Sequence, residues 1–266
     1  MNTVLIDDIR VSFTESGVGQ SSPKVVLIHG LAEDKGSWAH TQHKLAELHT
    51  YAYDLRGHGE TTVGAADGTL AQLGRDLVGF LEMVTGPACV VGFSLGGTVA
   101  LWAAAERPDL VTQAIVLGTS SVVGRGAAEF YGQRIAQAAD TSTAEFRAAI
   151  RDDTAAGIAV AHDRVDAVTA ARLAAIGAGA GYINAARAMA ALRGAPLTPT
   201  LGEITAHVDV IGADSDAFCP KKAAQIIIDA LADVSYHEIP GAGHLMNTDN
   251  PDAVADALRA AIIGRN

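Results

Sequence analysis

Along the chain, short continuous runs of apolar, largely β-branched residues alternate with longer stretches whose apolar positions recur at helical spacing. The runs are Val25–Ile28, Tyr51–Tyr53, Cys89–Val91, Ala114–Leu117 and Val208–Ile211. A short unbroken apolar run predicts a strand covered on both faces, as in a parallel sheet packed between helices. Val4–Ile6 and Ile9–Phe13 flank the polar pair Asp7-Asp8 and predict an opening hairpin. Helices are predicted near 37–48, 69–84, 95–106, 221–231 and 251–263. Pro108 stands just past the end of one and Pro251 at the start of another, where each suits its position. This alternation predicts an α/β fold: a mostly parallel central sheet flanked by helices.

One interval breaks the rhythm. From Val122 to Gly202 there is no convincing strand, only alanine-rich sequence with eight arginines and no lysine. Such composition favours helix. The expected organisation is therefore a core made of residues 1–121 and 203–266, with 122–202 inserted as a helical cap. An insertion at the carboxyl edge of a parallel sheet would overhang the place where such sheets bind ligands. No internal repeat, low-complexity tail or interdomain linker is evident.

Composition narrows the classes. At 266 residues with 49% hydrophobic and 18% charged positions, the chain is too apolar for disorder and long enough for a sizeable core. The 51 alanines and five lysines agree with a helix-rich fold. A formal net charge of −11 argues against nucleic acid and anionic membrane surfaces as partners. Cys89 and Cys219 are too few for a disulfide framework. They are expected as reduced thiols of a cytoplasmic protein, although a single bridge stays open. Met1–Asp8 lacks a basic segment leading into an apolar one, so no secretory leader is expected. No uncharged apolar run approaches the ~18 residues of a membrane span. Oligomeric state is not readable from these features.

The segment richest in chemistry is Gly92-Phe93-Ser94-Leu95-Gly96-Gly97, a G-x-S-x-G pattern between a predicted strand and a predicted helix. A serine on so sharp a turn projects its Oγ at the sheet edge, and the flanking glycines permit the tight backbone. The helix starting near Leu95 directs its positive dipole end at developing negative charge.

Together with four further segments in order, this one resembles the α/β-hydrolase family over most of the chain. His29-Gly30-Leu31 is similar to its oxyanion loop, and Asp54-Leu55-Arg56-Gly57-His58-Gly59 to its D-x-R-G-H-G turn. Gly212-Ala213-Asp214-Ser215-Asp216 with Pro220 resembles the turn that carries the acid, and Gly241-Ala242-Gly243-His244 the histidine turn. The order Ser, Asp, His is also the family's. The resemblance implies Ser94 as nucleophile, His244 as its base and an aspartate orienting the imidazole. Asp214 and Asp216 compete for that last role; the spacing from Asp216 to Pro220 matches the family's usual gap and favours Asp216. The backbone N–H groups of Leu31 and Leu95 are implied as the oxyanion hole.

The remaining chemistry-bearing residues invite plainer readings. His29 and His58 are expected to shape loops. The other histidines show no metal-ligand spacing, so no metal is expected. Gly17, Gly19 and Gly30 do not form a dinucleotide fingerprint and no phosphate-binding loop occurs, so no cofactor is expected. Cys219 is expected as a packed thiol. Trp38, Phe93, Tyr131, Tyr182, Phe218 and Met246 are candidate apolar substrate contacts. The arginines of the insertion (125, 134, 147, 151, 164, 172, 187 and 193) are expected on a solvated face, although one turned inward would suit a substrate carboxylate. The resulting expectation is a serine hydrolase acting on a small, largely apolar ester or lactone. A cofactor-free perhydrolase or haloperoxidase-type enzyme, an enol-lactone or carbon–carbon bond hydrolase, and a non-enzymatic small-molecule receptor are the alternatives.

Overall fold

The computed structural model describes residues 2–17 and 23–264; Met1 and Gly19, considered above, lie outside the described residues. The chain runs through β1 (Asn2–Ile6), β2 (Ile9–Ser16), β3 (Lys24–Ile28), α1 (Ala39–Lys44), β4 (His49–Tyr53), α2 (Leu70–Phe80), β5 (Ala88–Phe93), α3 (Leu95–Glu106) and β6 (Val111–Leu117). Four helices then follow without a strand: α4 (Arg125–Gln137), α5 (Ala144–Gly157), α6 (Val165–Ile176) and α7 (Ala180–Ala191). The sheet resumes with β7 (His207–Ala213), α8 (Lys221–Ala230), β8 (Val234–Ile239), α9 (Met246–Asp249) and α10 (Pro251–Ile263).

The eight strands lie in the order β1-β2-β4-β3-β5-β6-β7-β8. The β1–β2 and β2–β4 pairs are antiparallel and every later pair is parallel. Because side chains alternate along a strand, each parallel strand feeds two cores. Val26, Ile28, Val90, Val116 and Val210 face Leu73 and Leu77 of α2 and Val99 of α3. Val25, Leu27, Val91, Ile115 and Ile211 pack with Trp38 and Leu45, which flank α1, and with Val254 and Leu258 of α10. Burial on both faces is why these strands read as continuous apolar runs. A third, smaller core joins Phe146, Ile150, Ile176, Tyr182 and Ala186 of α5–α7 to Ala32 on the loop after β3.

Three local expectations change. The predicted strands omit β8, whose sequence Val-Ser-Tyr-His-Glu-Ile mixes polar and apolar residues because it is an edge strand, half exposed along most of its length. The helix predicted over 37–48 is a 3₁₀ turn at Lys35–Trp38 followed by the short α1. Near residue 80, α2 loosens into a wide turn over Leu81–Thr85, closed by Gly86 at φ 68° with its N–H on the Leu81 carbonyl. Among the described residues no helix is long and apolar enough to cross a membrane.

Candidate active site

The site forms at the carboxyl ends of β5, β6 and β7. Ser94 sits between β5 and α3 at φ 51° and ψ −115°, a left-handed conformation that non-glycine residues rarely adopt. The backbone doubles back so closely there that a Cβ on Gly92 would lie 2.2 Å from the Gly96 carbonyl oxygen. One on Gly96 would lie 2.4 Å from the Ile28 carbonyl oxygen. The turn is fastened by the Ser94 N–H on the Leu117 carbonyl at 2.8 Å and by the Thr119 hydroxyl on the Ser94 carbonyl at 3.2 Å.

His244 Nε2 lies 3.1 Å from Ser94 Oγ, and its Nδ1 lies 2.9 Å from Asp216 Oδ2. The second Asp216 oxygen accepts the N–H groups of Phe218 at 2.9 Å and Cys219 at 2.8 Å. Burial pushes this carboxyl upward, but the charge and hydrogen bond of His244 and the two backbone donors outweigh it and hold Asp216 below the ordinary 3.8. An ionised carboxylate only accepts, so the facing Nδ1 carries the proton and Nε2 is left to accept from the Ser94 hydroxyl. The imidazole is held between the rings of Phe93 and Phe218, with centroids 5.0 and 5.3 Å away.

Asp214 does something else. Its carboxylate accepts the N–H groups of Gly241 at 2.8 Å and Ala242 at 3.2 Å, tying the loop after β7 to the turn that delivers His244. These backbone donors hold its pKa below 3.8. Asp249 braces the same turn from the other side: its carboxylate accepts from Gly243 at 2.8 Å and from Ala159, Val160 and Ala161 at 2.8, 3.0 and 2.9 Å.

The strand-end loops are fixed by buried polar contacts. His29 Nε2 accepts the Leu55 N–H at 2.9 Å while its Nδ1 faces the Gly30 carbonyl at 2.8 Å, so a neutral imidazole clamps two loops. Burial pushes its pKa down, and that of neighbouring His58 down to about 3. Asp54 holds the backbone and ammonium of Lys35, both at 2.7 Å, and Arg56 grips Asp76 through two bonds of 2.8 and 2.7 Å. The D-x-R-G-H-G segment is thus a structural knot beside the site.

A cavity of about 490 Å³ opens over Ser94 and His244, within the ~300–1,000 Å³ range of small-molecule sites. Of the aromatic residues singled out in the sequence, Phe93, Tyr131, Tyr182 and Phe218 line it. Trp38 and Met246 do not: both are fully buried, because they pack into the apolar cluster that the sheet forms with Val254 and Leu258 of α10. Leu31 lines the cavity on the loop after β3, next to Ala32 at φ 65°. Leu95 has a buried side chain and opens α3, so its N–H has no carbonyl one turn earlier to bind. Sequence reasoning missed Ser120, Val122, Phe130, Met189 and Ile226, which also line the cavity. Ser120 and Val122 follow the end of β6, and position beyond a strand's carboxyl end was the signal available. Both cysteines are free thiols. Cys219, expected as a packed thiol, is instead half-buried on the cavity wall, where it contacts the Ser120 hydroxyl at 3.3 Å and burial pushes its pKa up to about 12. Among the described residues, no group of three or more His, Cys, Asp or Glu is arranged to hold a metal ion.

Residues 25–257 match the model of the alpha/beta hydrolase family, and the chain is an enzyme belonging to that family. It is 30% identical over 233 residues to RutD of Variovorax paradoxus (strain S110), a protein assigned as a carbamate hydrolase, covering 83% of this chain and 84% of that one. Its fold is similar to that of the enol-lactonase from Burkholderia xenovorans LB400, with a TM-score of 0.87, 21% identity and coverage of 99% and 100% of the two chains. It is also similar to that of a thermophilic esterase from Thermogutta terrifontis, with a TM-score of 0.85, 23% identity and 99% of each chain covered.

Proposed function

We propose that the protein is a serine hydrolase that cleaves a small, largely apolar carboxylic ester or lactone through Ser94, His244 and Asp216. The observation that carries this reading is the continuous chain of hydrogen bonds from Asp216 through His244 to Ser94, at 2.9 and 3.1 Å, at the cavity that Ser94 and His244 line. His244 Nε2 removes the Ser94 proton as Oγ bonds to the acyl carbon. The resulting oxyanion sits against the N–H groups of Leu31 and Leu95, a type of contact worth about 3–4 kcal/mol per donor in the transition state. Collapse breaks the carbon–oxygen bond to the alcohol, which leaves with the proton from His244. Water then gives a proton to His244 as its oxygen bonds to the acyl carbon. Release of the acid breaks the Ser94 ester and returns the proton to Oγ. Asp216 holds Nδ1–H throughout and stabilises the imidazolium without taking its proton.

The four helices α4–α7 act as a cap in this reading. They supply Tyr131, Tyr182 and Phe130 to the cavity wall and leave room for a small acyl group. The reaction needs no metal or cofactor. The two free thiols support a cytoplasmic setting, and the partner is a small molecule.

The test is hydrolysis of a short-chain nitrophenyl ester by the wild type and by Ser94→Ala. Turnover should fall by about 10⁶-fold in the variant, the scale seen when a triad nucleophile is removed. Undiminished turnover by Ser94→Ala would overturn the assignment, and tight ligand binding without turnover of any ester would point to a receptor.

A further inference from the structure

Within the reading just given, the structure assigns Arg172 as the anchor for a carboxylate carried by the substrate, so that the preferred substrate is an ester or lactone bearing a second, anionic acid group. The eight arginines of the insertion are not equivalent. Arg125, Arg147, Arg187 and Arg193 are exposed. Arg151 pairs with Asp166 at 3.0 Å, and Arg164 donates to the Thr248 carbonyl at 3.0 Å. Arg134 is neutralised by a double hydrogen bond to Asp153, both at 2.7 Å. Arg172 alone of the eight lines the cavity over Ser94 and His244.

Its guanidinium is under-used. Nη1 donates to the Thr154 hydroxyl at 2.8 Å, while Nε is buried and has no hydrogen-bond partner. No carboxylate lies within ion-pair distance of Arg172 among the described residues. Asp153, also on the cavity wall, is already committed to Arg134. Glu33 is near enough to feel the charge of Arg172, yet its carboxylate accepts from the Gly30 N–H at 3.2 Å and makes no bond to the guanidinium. A half-buried planar fork of donors with an unpartnered Nε and no ion-paired carboxylate fits a carboxylate supplied from outside. Lys222, exposed yet also lining the cavity, adds a second positive charge along the way in. Arg172 and Lys222 thus place two positive charges on the cavity wall of an acidic protein.

The experiment compares mono-4-nitrophenyl esters of the four- to six-carbon diacids with neutral nitrophenyl esters of equal acyl length, in wild type, Arg172→Met and Arg172→Lys. Uncatalysed rates are subtracted. Free diacids of the same lengths are assayed as competitive inhibitors of neutral-ester turnover. In wild type the best-fitting anionic ester should be favoured. In Arg172→Met its kcat/KM should fall about 10- to 150-fold further than that of the neutral ester, the scale of a charged hydrogen bond, with Arg172→Lys in between. If no diacid length gives wild type a preference, and none inhibits wild type better than Arg172→Met, the inference is overturned. If Arg172→Met is too poorly folded to turn over the neutral ester, the same comparison is made with Arg172→Lys. If wild type cleaves no ester at all, the hydrolase reading fails. Calorimetric binding of glutarate to wild type and Arg172→Met then decides the anchor separately: weaker binding by the variant supports it, and equal binding overturns it.

Discussion

Replacing Asp216 by asparagine changes one atom of the site and reverses the sense of one hydrogen bond. An amide oxygen placed at Oδ1 still accepts from the N–H groups of Phe218 and Cys219, which lie 2.9 and 2.8 Å away, so the loop keeps its fastening. The amide nitrogen then faces His244 Nδ1 at the position of an oxygen 2.9 Å away. A donor there requires a lone pair on Nδ1, which moves the ring proton to Nε2. The imidazole then donates toward Ser94 and is unable to accept from it. In the serine-protease template this tautomer error lowers kcat by about 10⁴-fold, about 5 kcal/mol at ~1.36 kcal/mol per tenfold. Initial rates of nitrophenyl ester hydrolysis in wild type, Asp216→Asn and Asp214→Asn measure it, with thermal melts to show that the variants are folded. Asp214 fastens Gly241 and Ala242 and makes no bond to the imidazole, so its replacement should lower thermal stability and leave most of kcat. Near-normal turnover by folded Asp216→Asn, together with collapse of Asp214→Asn, would refute the reasoning and move the acid to Asp214.

Gly96→Ala should abolish activity or folding, because its Cβ would sit 2.4 Å from the Ile28 carbonyl oxygen in a backbone-on-backbone contact that cannot relax cheaply; soluble yield and ester turnover check this. Asp249→Ala removes the acceptor shared by four backbone donors and should destabilise the fold by about 2–4 kcal/mol at roughly 1 kcal/mol per bond. It should also lower kcat by loosening the turn before His244, as urea melts and kinetics would reveal. Glu33 tests a pH dependence. Burial raises its folded pKa above 4.5, against which Arg172, the Gly30 N–H and His244 pull only part of the way. The native state therefore binds this proton more tightly than the unfolded chain, and stability is lost as pH rises through the folded value. Glu33→Gln keeps an acceptor for Gly30. Its melting temperature should match wild type below about pH 4.5 and exceed it progressively as pH rises, so a constant difference would count against this.

Local rules made most of the framework legible. The five continuous apolar runs became parallel strands because burial on two faces leaves no room for alternating polar residues. Pro251 and Leu95 begin their helices where the sequence placed them. The glycines around Ser94 mark a turn whose tightness follows from chain geometry. The edge strand β8 was not legible, since one neighbour and a solvated flank impose no continuous apolar run.

The sequence by itself determined the alternation of strands and helices, the sharp turn that lifts Ser94, and the order in which the candidate triad members occur. Each of these depends on residues close together along the chain. Which aspartate reaches His244, whether Trp38 and Met246 face substrate or core, and which of eight similar arginines turns inward were decided only by the tertiary structure. Those outcomes depend on packing between segments far apart along the chain. Asp216 and His244, 28 residues apart, meet because β7 and β8 pair in parallel and bring their following loops to one edge of the sheet. Arg172 faces the cavity because the apolar side of α6 packs inward on Phe146 and Ile150 through Ile176, a direction set by its neighbours.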